Sequence, residues 1–202
     1  MTDGVLHFPA LKNRYFALRH GHSKANEQSI IVSDPGVGTQ SYGLSDLGRE
    51  QLSALVLELP SLFDSELKIV SSDFLRARES AMIIADSLVV QTPVSYSENL
   101  RERYFGDLEG QSANCYREVW ERDRVDPGHD DFAVEPATVV ATRAVGLIVE
   151  LESQFSDAVI LLVAHGDVLQ LLQCAFECRP PDFHRQLPPL DVAEVRELSP
   201  AL

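Results

Sequence analysis

The run Ala158-Val-Ile-Leu-Leu-Val-Ala164 constrains the fold of this 202-residue chain more than any other stretch. Seven apolar residues without a polar interruption leave no face for water, so the segment reads as a strand covered on both sides. Such strands belong to parallel sheets flanked by crossover helices. Helical periodicity over Ala137 to Gln154 before the run, and through Leu172 after it, supplies those helices. Arg14-Tyr-Phe-Ala-Leu18 reads as a second buried strand and Lys68-Ile-Val70 as a third, with a short one at Val94 to Tyr96. Ser45 caps a helix whose apolar stripe is Leu52, Leu55, Val56 and Leu59, and a further helix runs from about Phe74 to Ser87. Val192 to Leu198 alternates as an edge strand does. Strands alternating with helices predict an α/β three-layer sandwich around a mostly parallel sheet. The length suits one domain, residues 1–202. Residues at about 98–136 are polar, charged and aromatic, with a helix around Cys115 to Arg122, and read as an excursion over the main body. A polar, glycine-rich loop is expected over Glu27 to Gly43, with a turn at Asp34-Pro35-Gly36.

Charge decides which partners are plausible. With 17 Lys plus Arg against 31 Asp plus Glu, the formal net charge is −14. Such a surface repels polyphosphate backbones and anionic bilayers, so neither a nucleic-acid partner nor a membrane is expected. An anion site in this body has to be a local basic pocket, which makes each clustered Arg or His informative. Cys115, Cys174 and Cys178 form no even disulfide framework, and Cys174 and Cys178, four apart on one helix face, read as small buried apolar residues. Met1 to Ala10 holds no signal-length apolar run, and no stretch approaches the roughly 20 apolar residues of a membrane helix. A cytoplasmic location is the expectation.

Parallel sheets bind ligands at the carboxyl ends of their strands. Three strands here end in Arg19-His20-Gly21, Ser71-Ser72-Asp73 and His165-Gly166-Asp167. A neutral imidazole attacks phosphorus well, and His20 beside a glycine is placed to do so. Arg19 offers a planar fork for phosphate oxygens, and Arg76 sits in the first turn of a helix, where free backbone N–H groups also favour an anion. His165, if protonated, neutralises a third oxygen. A leaving alkoxide needs a proton, and Glu102 is the candidate acid, with Tyr104 and Phe105 expected to desolvate it. Glu98 and Glu109 share its neighbourhood and compete for that role. Asn26 either contacts phosphate or caps a helix. His7, His129 and His184 read as ordinary surface histidines, and Arg103, Arg117, Arg122 and Arg124 as solvated.

These blocks carry a resemblance. Arg19-His20-Gly21 with Ser23 and Asn26 is similar to the signature of the histidine phosphatase superfamily, which includes phosphoglycerate mutases. Leu44-Ser45 with Gly48 and Gln51, Ser71-Ser72-Asp73 with Arg76 and Ser80-Ala81, Leu100-Arg101-Glu102 with Gly106 and Glu109-Gly110, and Ala164-His165-Gly166 follow in the family order. The resemblance implies a phosphoglycerate mutase-like fold and a phosphorylated small molecule as substrate. It implies His20 as the phosphorylated nucleophile and Glu102 as proton donor, with Arg19, Arg76, His165 and Asn26 around the phosphate. Water then releases phosphate from His20, and neither metal nor organic cofactor takes part. The expected activity is a histidine acid phosphatase-type hydrolysis of a phosphomonoester.

Departures from the family pattern bear on that activity. His22 stands where the family often carries Glu or Gln, the loop Glu27 to Gly43 contains no Arg or Lys, and the mutase blocks after Gly110 are missing. Mutases hold a second anionic group, so hydrolysis is favoured and phosphoglycerate mutase activity, an isomerase reaction, is the nearest alternative. A non-catalytic phosphate-binding relative is a further one. Asp167 is expected near the pocket mouth, where it disfavours highly anionic substrates unless it pairs with His22 or an Arg. A metal site from His20, His22, His165 and Asp167 is the alternative from another class, and two arginines argue against it.

Overall fold

The computed structural model describes residues 8, 10–64 and 66–200. Its elements run β1 (Arg14–Arg19), α1 (Lys24–Gln28), α2 (Pro35–Gly38), α3 (Asp46–Val56), β2 (Lys68–Ser71), α4 (Leu75–Ser87), β3 (Ser95–Tyr96), α5 (Tyr116–Asp123), α6 (Ala137–Gln154), β4 (Val159–Ala164), α7 (Gly166–Phe176) and β5 (Val195–Leu198). The sheet order is β3-β2-β4-β1-β5. All neighbours are parallel except β5, which pairs antiparallel with β1 at the edge.

The apolar run of β4 lies between β1 and β2, and its side chains divide between two cores as strand geometry requires. Ile160, Leu162 and Ala164 join Tyr15 and Ala17 under α6 and α7. Leu161 and Val163 join Phe16 and Leu18 on the other face, under α3 and α4. This is the expected three-layer arrangement. A third, small cluster of Ile31, Phe105, Val119 and Val134 holds the excursion together.

Four expectations need correction. The loop over 27–43 contains a full turn, α2, because Asp34 accepts the Gly36 N–H at 2.6 Å and Pro35 supplies the first helical φ. Cys178 lies beyond α7 at φ 52 and is exposed, so only Cys174 is buried among the three cysteines. Residues Asp131–Gln154 are long and apolar enough in composition to cross a membrane. Within them Ala137, Val140, Ala141, Ala144, Leu147, Ile148 and Leu151 form the α6 face packed in the core, while Val139 and Val149 are exposed. His129 and His184 are not surface residues, and their partners are given below. His7 and most of the amino-terminal segment lie outside the described residues.

The sheet aligns the loops that matter. Arg19 is level with Ala164, and Ser71 with Val163. The ladder extends one bond further, with His20 N–H donating to Ala164 O at 3.1 Å and Ser72 N–H to Val163 O at 2.9 Å. The loop after β1 then rests on the start of α3. A Cβ on Gly21 would meet Gly48 O at 2.8 Å, and one on Gly48 would meet His22 O at 2.0 Å. Backbone touches backbone there, and neither side can yield cheaply. Gly48→Ala is therefore expected to cost about 1–3 kcal/mol in denaturant unfolding, and to shift the imidazole resonances of His20 and His22; an unchanged midpoint and spectrum would contradict this packing.

Candidate active site

His20 is buried at the carboxyl end of β1. Its Nδ1 lies 2.8 Å from Gly21 O. A carbonyl only accepts, so Nδ1 carries the proton. Nε2 then presents a lone pair, and Arg76 Nε donates to it at 3.1 Å. Burial, followed by the charges of Arg76 and Arg19, holds the His20 pKa well below its ordinary value. The ring is thus a neutral base with its nucleophilic nitrogen defined.

Arg76, 4% exposed in the first turn of α4, is the hub. Its Nε is shared between His20 Nε2 and His165 Nδ1, the second at 3.2 Å. Its Nη2 donates to Val32 O at 3.0 Å, and its Nη1 is buried without a partner. Phe74 lies under the guanidinium, 5.1 Å from its carbon. Ser80 Oγ accepts Gly21 N–H and donates to Arg76 O, tying the helix to the loop. Arg19 donates Nη1 to Leu190 O at 2.9 Å, and its Nε is also buried without a partner. Two cationic donors pointing at nothing in the protein mark a place for an anion.

His165 is fully buried beside Arg76 and does not line the cleft. Ser72 Oγ takes its Nε2–H at 2.9 Å, which leaves Nδ1 as the acceptor for Arg76. Burial and Arg76 hold its pKa well below the ordinary value, so it is neutral here and does not supply the positive charge considered above. The cleft of about 200 Å³ is lined by Arg19, His20, Asn26, Arg76 and Glu102, and beyond them by Tyr116, Trp120, Asp167 and Arg185. Asn26 does two things: its Oδ1 closes a capping box with Ser23, and its amide is left for the cleft.

The competing carboxylates sort themselves by partner. Glu98 pairs with Arg101 in the open, and Glu109 is committed to Ser33, whose N–H and Oγ donate to it at 2.7 and 2.6 Å. Glu102 alone of the three lines the cleft with His20. Burial first, and then the charge of Asp167, push its carboxyl from 4.5 up to about 7, against the opposing pull of Arg76. Tyr116 and Trp120 share its cavity; the expected Tyr104 is exposed, and Phe105 belongs to the third cluster.

Arg103 departs most from expectation. It is fully buried and grips Asp123 through both terminal nitrogens, at 2.6 and 2.9 Å, while Nε donates to Glu135 O. His129 meets Asp123 at 3.0 Å, and His184 Nε2 lies 3.8 Å from it. Arg117 and Arg124 are exposed as expected. Asp167 pairs with arginines and not with His22: Arg185 is 3.6 Å and Arg103 3.7 Å away, and Trp120 Nε1 donates to both its oxygens. His22 turns to Ser45 Oγ at 2.8 Å. The alternative cation site is thus not assembled, because the Arg76 guanidinium stands between His20 and His165.

Comparison with known proteins agrees with this geometry. The model of the histidine phosphatase superfamily (branch 1) matches residues 15–201. A broad-specificity phosphatase of Saccharomyces cerevisiae is 27% identical over 167 residues, covering 79% of this chain and 68% of that protein. A 2,3-bisphosphoglycerate-dependent phosphoglycerate mutase of Bartonella quintana is 26% identical over 174 residues, covering 79% of each. The solved structure of a mycobacterial glucosyl-3-phosphoglycerate phosphatase in complex with VO3 superposes with a TM-score of 0.76 at 28% identity, covering 91% of each chain.

The raised Glu102 pKa has a stability consequence of definite sign. Folded Glu102 holds its proton more tightly than the unfolded chain does, so its favourable contribution is complete below pH 4.5 and is lost as pH rises through about 7. Glu102→Gln is expected to gain on wild type by about 2 kcal/mol between pH 5 and pH 8 in urea unfolding. A difference independent of pH would contradict the assignment.

Proposed function

The chain belongs to the histidine phosphatase superfamily, and on that premise we propose that it hydrolyses a small phosphomonoester through a phosphohistidine on His20. The observation that carries this reading is a tautomer-defined His20 Nε2 facing two guanidinium groups with unspent donors, Arg19 Nε and Arg76 Nη1. The phosphoryl oxygens take those donors. Nε2 attacks phosphorus as the ester P–O bond breaks, and Glu102 gives its proton to the departing oxygen. The ring, now cationic, keeps Nδ1–H on Gly21 O. Arg76 Nε loses His20 as an acceptor at that moment and retains His165 Nδ1, so no buried donor is orphaned. Water then attacks the phosphohistidine, Glu102 takes its proton, and phosphate leaves with the starting enzyme restored.

A cleft of about 200 Å³ lies below the roughly 300–1,000 Å³ of drug-sized ligand sites, which favours a metabolite over a phosphoprotein. Hydrolysis over mutase chemistry is supported by the wall from Ser23 to Ile30, whose lining residues Ser23, Ala25, Asn26, Ser29 and Ile30 carry no charge to hold a second anion. No step calls on a metal, and chelator is expected to leave phosphate release from simple esters unchanged. His20→Ala should lower kcat by at least about a thousandfold, with its urea midpoint near that of wild type. Release that survived in the variant would remove His20 from the chemistry.

A further inference from the structure

Arg19 is aimed by a turn with few means of holding itself. Pro188 and Pro189 carry no backbone N–H, so the segment Pro188-Pro189-Leu190 offers its neighbours mainly carbonyls. All three carbonyls are taken by arginines. Leu190 O accepts Arg19 Nη1 at 2.9 Å. Pro188 O accepts Arg196 Nη1 at 2.7 Å, and Pro189 O accepts Arg196 Nη2 at 3.0 Å. Pro189 and Leu190 line the cleft, whereas Arg196 stands behind them on β5 and does not.

Arg196 is itself fixed. Its Nη2 also donates to Glu194 Oε1 at 2.6 Å, and its Nη1 to Gln173 Oε1 on α7 at 3.2 Å. The other Glu194 oxygen accepts Asp191 N–H at 2.7 Å, so the carboxylate ties the guanidinium to the residue after the turn. The backbone then joins this segment to β1: Arg19 N–H donates to Glu194 O and Ala193 N–H to Arg19 O. Ala193 sits at φ 60, a conformation that an L residue holds at a cost. A planar guanidinium spans two carbonyls at a set spacing, which a point-like ammonium does not copy.

The consequence reaches the cleft. With Nη1 committed to Leu190 O, Arg19 keeps its buried Nε for a ligand. Its side chain lies over Gly166, where a Cβ would stand 3.5 Å from the guanidinium carbon. A displacement of Leu190 O therefore moves the donor that faces the anion. We propose that Arg196 is a positioning residue for the phosphoryl site: by clamping the Pro188 and Pro189 carbonyls it fixes Leu190 O, and through that carbonyl the direction in which Arg19 presents its free donor. The inference rests on the phosphatase reading of the cleft.

The test is a double-mutant cycle with Arg19, read by inorganic phosphate binding and by kcat/KM on p-nitrophenyl phosphate. Arg196→Ala is expected to raise the phosphate Kd and lower kcat/KM by about three- to tenfold, and to change either by less than about twofold when Arg19 is already Ala. A loss of the same size in both backgrounds overturns the role, since a general loosening of the fold does not depend on Arg19. Wild-type values in a folded Arg196→Ala protein overturn it too. Arg196→Gln, too short to span both carbonyls, carries the same comparison if the alanine variant does not fold. These outcomes leave the phosphatase reading intact. A wild-type protein that neither binds phosphate nor hydrolyses the ester overturns that reading, and this role with it.

Discussion

The shared hydrogen bond from Arg76 Nε to His20 Nε2 and His165 Nδ1 is what the site depends on. A guanidinium at 4% exposure with two neutral imidazoles and a carbonyl for partners has no carboxylate bonded to it. Burying such a charge is unfavourable. The fold tolerates it because the loop after β1, the loop after β4 and the segment between α1 and α2 each fix one partner of the Arg76 that α4 carries. Arg76 Nη1 and Arg19 Nε are buried donors without partners, which an anion in the cleft would satisfy. The same charge keeps both histidines unprotonated, which is what a nucleophile needs.

Much of this was legible in the chain itself. The unbroken Val159–Ala164 apolar run required cover on both faces, and the two cores provide it. Parallel pairing then forced the ends of β1, β2 and β4 to one edge, which brings His20, Ser72 and His165 together from distant positions. Arg19 at the end of β1 and Arg76 in the first turn of α4 follow to the same edge by position. The choice of Glu102 over Glu98 and Glu109 was less visible, since it depends on Glu109 being committed to Ser33 and Glu98 facing solvent with Arg101.

What sequence patterns missed is pairing between side chains far apart in the chain. Arg103 and Asp123 are polar residues in a polar stretch, and nothing in their spacing announces a fully buried, bidentate pair. That pair, with His129 and His184 against Asp123, locks the excursion to the segment after α7. The lock places Tyr116 and Trp120 over the cleft and positions Asp167 among Trp120, Arg185 and Arg103. Motif position suggests a cation at His165, but burial next to Arg76 suppresses its protonation. Within 27–43, α2 is a single helical turn capped by Asp34, too short to show a period in the sequence.

The most direct test is to quench the enzyme during turnover of a phosphate ester and locate the phosphorus by nitrogen–phosphorus correlation NMR on protein labelled at its histidines. Attachment at Nε2 of His20, with Nδ1 still carrying its proton, is the expected result. Phosphorus on Nδ1, on another residue, or on no residue at all while phosphate is being released would contradict it.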